Sequence, residues 1–160
     1  MNFEAIQHIP MSQQAHGIDP NHVVFRLRAG RDDLKHCTLF YADRACRLTP
    51  VIFSSVEMQV EAQDEWFDYF QVILESPYKR ICYYFELDDG TQKLLYYGDF
   101  FTDHRVDDRS EYYQLPFNHP ADIAAPPEWA QDAVVYNIFP DSFATSHRFI
   151  SGKTSEKEWN

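Results

Sequence analysis

Ile81-Cys82-Tyr83-Tyr84-Phe85-Glu86-Leu87, followed by Asp88-Asp89-Gly90-Thr91 and then Leu94-Leu95-Tyr96-Tyr97, is the stretch that decides the fold. Ile81, Tyr83, Phe85 and Leu87 recur at every second position and give one apolar strand face. The Asp-Gly pair supplies residues that tolerate positive φ, as a tight hairpin turn requires. Leu94 to Tyr97 then returns antiparallel to the first strand.

Working outward, the same pattern repeats. Val23, Phe25, Leu27 and Ala29 alternate with Val24, Arg26 and Arg28, ending at Gly30-Arg31-Asp32-Asp33. Leu34 to Tyr41 is a further run. Val56, Met58, Val60 and Ala62 alternate with Glu57, Gln59 and Glu61, the cleanest period of two in the chain, and predict one half-buried strand. Trp66 to Glu75 is stopped by Ser76-Pro77, and Phe3 to Ile9 and Tyr112 to Phe117 add two candidates. Seven or eight short strands without a 3.6-residue period predict an all-β antiparallel sandwich over residues 1–117, with an up-and-down barrel as the alternative.

The composition changes after Phe117. Residues 118–127 hold three prolines among small residues and read as a semi-rigid linker. Beyond it, Ala133-Val134-Val135-Tyr136-Asn137-Ile138-Phe139 is apolar on both faces, as a buried parallel strand would be. The polar residues from Ser142 to Asn160 supply nothing to cover it, so 128–160 reads as the start of a further domain.

Composition narrows the function. The 160 residues carry a formal charge of −11, with the basic residues scattered among more numerous acids. Nucleic acid, which is held through basic patches, is not an expected partner. No apolar run approaches the ~20 residues that span a bilayer. The N-terminus has neither a basic nor an apolar leader region. Cys37, Cys46 and Cys82 form no metal or disulfide spacing, which suits a reducing cytoplasm. The alternating charges of Asp103-His104-Arg105-Val106-Asp107-Asp108-Arg109 read as a solvated loop rather than a calcium loop. No metal or other cofactor is expected.

Two groups of motifs carry a resemblance. Glu128-Trp129-Ala130-Gln131-Asp132-Ala133-Val134-Val135-Tyr136-Asn137-Ile138-Phe139-Pro140-Asp141-Ser142-Phe143 resembles the entry to the catalytic barrel of neopullulanases, cyclomaltodextrinases and maltogenic amylases. Phe25-Arg26-Leu27-Arg28, Phe67-Asp68-Tyr69-Phe70 and Tyr83-Tyr84-Phe85-Glu86-Leu87-Asp88-Asp89-Gly90 are similar to the strands of their N-terminal domain. Asn137 and Ser142 depart from the usual Gln and Arg. Ala144-Thr145-Ser146-His147-Arg148 replaces a loop of calcium ligands, so calcium, used by some such enzymes, is not expected in this chain.

The resemblance implies an immunoglobulin-like accessory domain, 1–117, and the first strand of a (β/α)₈ barrel. It implies a parent that cleaves α-glucosidic bonds in maltodextrins, cyclodextrins or pullulan with retention. It also implies docking on the barrel of the same or a neighbouring subunit, in a homodimer. Glycoside hydrolysis needs two carboxylates placed by a barrel of roughly 250 residues. Residues 128–160 cannot build one, so no catalytic residue is assigned, Asp132 and Asp141 included. The competing function is a free-standing protein-interaction module of the same fold.

Sugars stack on exposed aromatic rings, and Tyr41, Trp66, Tyr69, Tyr84 and Tyr97 are the candidate carbohydrate contacts. Strand parity sorts them. If Phe70, Val72 and Leu74 face inward, so does Trp66, while Tyr69 faces out. If Ile81, Tyr83 and Phe85 face inward, Tyr84 faces out.

Overall fold

The computed structural model describes residues 1–98, 100–123 and 126–139. In chain order its strands are β1 (Ala15–Gly17), β2 (His22–Gly30), β3 (His36–Asp43), β4 (Ser54–Glu57) and β5 (Gln59–Gln63). They continue as β6 (Phe67–Glu75), β7 (Ile81–Asp88), β8 (Lys93–Tyr97), β9 (Phe100–Thr102) and β10 (Tyr113–Leu115). The strands form two antiparallel sheets rather than a barrel. One runs β1-β2-β6-β5, and the other β4-β3-β7-β8-β9 with β10 also on β7.

The alternations read in β2 and β7 make the core. Val23, Phe25, Leu27 and Ala29 from one sheet meet Ile81, Tyr83, Phe85 and Leu87 from the other, all fully buried. Each large side chain removed from water contributes roughly 1.5–3 kcal/mol, so these two strands supply a large share of the cohesion. The β7–β8 turn forms where Asp-Gly requires it, with Gly90 at φ +85° and the carboxylate of Asp89 accepting from the Thr91 and Gln92 amides.

The single strand expected over 56–62 is broken. Its first part, β4, pairs with β3, and its second part, β5, pairs with β6 in the opposite sheet. Met58 lies between them at 2 % exposure, its amide donating to the Cys37 carbonyl at 2.8 Å. Alternation is preserved through this corner because the period cannot register which sheet a residue joins. Val60 is consequently 43 % exposed on an edge strand instead of facing the core. Phe3 to Ile9 supplies only one bridge, Gln7 to Arg28, in place of a strand. β1 and β9 are too short to leave a periodic signature.

A second apolar cluster covers the other side of the β3-β7-β8 sheet. Tyr84, Tyr97, Tyr112, Val51 and Ala42 are buried there, with Phe40 and Phe53 against them. The loops after β3 and β9 roof this cluster. Arg105 donates to the Val51 carbonyl, and Arg109 to those of Cys46 and Leu48.

The chain divides into two compact units, Met1–Ala124 and Ala125–Asn160. The first continues past Phe117 through Asn118, which is buried, into a 3₁₀ turn at Pro120–Asp122 capped by His119. In the second, Glu128–Gln131 forms a short helix, α1. The strand expected at 133–139 is not formed, and Val134 and Val135 are 96 % and 85 % exposed. Apolar residues alone do not make a strand; its N–H and C=O groups need a ladder partner. Asp141 and the stretch 144–148 lie outside the described residues.

Candidate functional site

The β5–β6 connection builds an exposed aromatic platform. Asp64 closes the turn: its Oδ1 accepts from the amides of Trp66 and Phe67 at 2.8 and 2.7 Å. Its Oδ2 accepts the Tyr69 hydroxyl at 2.7 Å. That hydroxyl first, and then the turn amides, hold the Asp64 carboxyl below its ordinary range, and the same bond raises Tyr69. Arg31 donates from its amide to the Trp66 carbonyl at 2.9 Å and from its guanidinium to that of Asp64 at 2.7 Å. The backbone beneath Trp66 is therefore fixed, while its ring is 68 % exposed.

Two clefts adjoin the platform. One, of about 440 Å³, is bordered by Trp66, Phe67, Arg31, Asp33, Asn2 and Ala5. The other, of about 430 Å³, lies on the outer face of β2 and β6 between Tyr69, Gln71, Arg26, Arg28 and Gln14. Register explains the second cleft, since Arg26 lies opposite Gln71 and Arg28 opposite Tyr69. Arg26 Nε donates to Gln71 Oε1 at 2.6 Å, and the Arg28 guanidinium lies 4.2 Å from the Phe67 ring centroid. Sequence reasoning missed these polar residues, although their outward parity on β2 was visible.

Of the five candidate aromatics, Trp66 and Tyr69 share this surface. Parity misplaced Trp66, which precedes β6 and obeys the Asp64 turn instead of the strand. Tyr84 and Tyr97 are corrections: they are 4 % and 0 % exposed and stack on each other at 4.6 Å. Parity put Tyr84 outside on the premise that an outer sheet face meets water, but here loops cover it. Burial pushes both hydroxyls above their ordinary range. Tyr41 is half-buried and packs against the main core. Among the described residues, no three His, Cys, Asp or Glu side chains are grouped to hold a metal. Arg105 and Arg109 in the expected solvated loop are structural staples, whereas Asp103 and His104 pair in solvent at 2.9 Å.

A separate apolar groove of about 720 Å³ runs beside the edge strand β1, lined by Met11, Ile18, Leu115, Phe117 and Ile123 among others. Met11, Ile18 and Phe117 are 68 %, 43 % and 45 % exposed.

The profile of the family described as "Alpha amylase, N-terminal ig-like domain" matches residues 1–119. A cyclomaltodextrinase of Geobacillus thermopakistaniensis is 32% identical over 155 residues, covering 96% of this chain and 26% of the relative. Neopullulanase 2 of Thermoactinomyces vulgaris is 33% identical over 145 residues, covering 90% and 24%. A solved structure titled cyclomaltodextrinase superposes with a TM-score of 0.74 at 28% identity, covering 85% of this chain and 23% of the other. The chain spans about a quarter of the length of these curated relatives.

Proposed function

The chain belongs to the α-amylase N-terminal Ig-like domain family, and on that premise we propose that its first unit is the accessory domain of an α-glucan-hydrolysing enzyme, holding substrate on the Trp66 platform. Maltodextrins, cyclodextrins and pullulan are the substrates this reading favours. Hydrolysis, with retention, belongs to the rest of the parent. The observation that carries the reading is the pairing of a largely exposed indole with a backbone locked by Asp64 and Arg31. A glucose ring presents C–H groups to such a face, and the side chains of Arg31 and Asp33 border the same cleft to order its hydroxyls. One exposed ring on a fixed backbone, with a few hydrogen bonds, suits millimolar affinity, about 4 kcal/mol.

Titrating isotope-labelled chain with β-cyclodextrin and with maltoheptaose tests this. Saturable amide shifts confined to residues 63–69 and 31–33 are the expected result. Their absence at millimolar ligand would remove the glucan role.

A second reading is favoured by the apolar groove along β1. Its exposed Met11, Ile18 and Phe117 suit docking against a catalytic barrel, of the same subunit or of a neighbour in a homodimer. Replacing Phe117 by Glu in the full-length parent tests this. A lost dimer by solution mass supports docking on a neighbour, and a lowered thermal midpoint in an unchanged assembly supports docking on its own barrel. Neither change would refute the reading if both are absent together: an unaltered mass with an unaltered midpoint overturns it. Three free cysteines favour a reducing, cytoplasmic setting. No cofactor is assigned to the accessory domain.

A further inference from the structure

Residues 1–9 lie along the sandwich as an arm, and His8 is its most constrained polar side chain. Gln7 pairs with Arg28 through amide-to-carbonyl bonds of 2.9 and 3.0 Å, extending the edge of β2 beyond β1. Ala5 and Ile6 are buried. The His8 ring is 5 % exposed among the rings of Tyr83, Phe85 and Tyr113, with centroids 5.5, 4.7 and 4.8 Å away.

Both ring nitrogens are committed. Nδ1 lies 2.7 Å from the Arg26 carbonyl, which can only accept, so Nδ1 carries the proton. Nε2, 2.8 Å from the Tyr83 hydroxyl, is then the acceptor and Tyr83 the donor. This is the arrangement of a neutral imidazole. A second proton, on Nε2, would force the Tyr83 hydroxyl to turn its own hydrogen away from the ring inside the core, where Tyr83 is fully buried.

Among the described residues, no carboxylate pairs with the ring. From β2, Arg26 and Arg28 direct their guanidiniums elsewhere, to Gln71 and the Gln13 carbonyl, and to the Ala5 carbonyl and Phe67. β7 offers Tyr83 and β10 Tyr113. On the arm, Glu4 is exposed, and the N-terminal amine pairs with Asp89 and Asp33.

We propose that His8 is an acid-sensitive clasp: a proton taken up by its imidazole detaches the arm from β2 and β7 while the two sheets remain paired. Burial pushes His8 down to about 4, opposed only by the bond to the Arg26 carbonyl. A freed arm would titrate near the ordinary histidine value of about 6.5. The sign follows: the closed arm binds fewer protons, so closure is favoured above about pH 6.5 and weakens as pH falls toward 4. With those two values, the open fraction at pH 5 rises about 30-fold over that at pH 7.5. Asn2 and Ala5 also border the Trp66 cleft, so release reshapes it; that consequence alone rests on the glucan reading.

Amide hydrogen exchange of the whole chain, corrected for intrinsic chemistry, reads the arm directly. Between pH 7.5 and 5 the Gln7 and Arg28 amides should lose protection about 30-fold, while amides of the β3–β7 ladder keep theirs. His8→Phe should abolish the difference. Should that variant not fold, the His8 ring nitrogen shifts in the unaltered chain decide. The clasp requires an Nδ1–H tautomer at pH 7.5 and no protonated form while the arm stays closed near pH 6. Equal loss of protection in arm and ladder, or none in either, would overturn the clasp. So would a His8 that titrates near 6.5 with the arm still protected.

Discussion

The carboxamide of Asn118 occupies the space that any side chain on Gly17 would need: a Cβ there would lie 1.8 Å from Asn118 Oδ1. Asn118 Nδ2 also donates to the Asp19 carbonyl at 3.0 Å, joining the segment that follows β10 to the loop after β1 across the chain. Gly17→Ala should therefore destabilise the domain by ~1–3 kcal/mol. Adding Asn118→Ala should return part of that loss, since the clash disappears with the amide. Denaturant midpoints of both variants and the pair check the coupling.

Trp66→Ala should leave the thermal midpoint almost unchanged, because the ring is mostly in solvent and the turn is held by Asp64. The same change should abolish the maltoheptaose-induced shifts. A variant that keeps those shifts would move the sugar contact elsewhere.

Tyr83 and Tyr97 are both fully buried, yet their hydroxyls differ. Tyr83 donates to His8, whereas the Tyr97 oxygen makes no hydrogen bond of good geometry among the described residues and has only the Val106 backbone and the Tyr84 hydroxyl near it. Tyr83→Phe should cost about 1–3 kcal/mol, and Tyr97→Phe should cost clearly less, because its buried oxygen has no well-formed bond to lose. Calorimetry of the two variants tests the contrast.

Thiol chemistry should single out one cysteine. Cys37 is fully buried and burial raises its thiol far above the ordinary range; Cys82, at 4 % exposure, is pushed up to about 11. Cys46 is partly exposed, its sulfur accepting the Leu48 amide at 3.4 Å. A soluble disulfide reagent at pH 8 should titrate Cys46 quickly, and the other two only on unfolding.

Much of the fold was legible because β2 and β7 carry their burial in their alternation. The corner at Met58 was not, since a strand that changes sheets keeps the same period on both sides. The site was legible in part. Trp66 and Tyr69 were identifiable as aromatics beside an acidic turn, but the side on which Trp66 lies is set by hydrogen bonds of Asp64 rather than by parity. Tyr84 and Tyr97 were misread for a different reason: loops anchored by Arg105 and Arg109 roof their sheet face, and a roof of irregular backbone has no periodic signal.

The corner at Met58 also has a mechanical consequence. β4 and β5 grip opposite sheets and are separated by that one residue, so neither sheet can slide alone. A slip of one residue along a strand is about 3.3 Å. Here it would drag Met58 from the interior and strip the Cys37 carbonyl of its amide partner. The two layers are thus locked to a common alignment at this margin, and a cut in the chain between Glu57 and Gln59 would free them to shear.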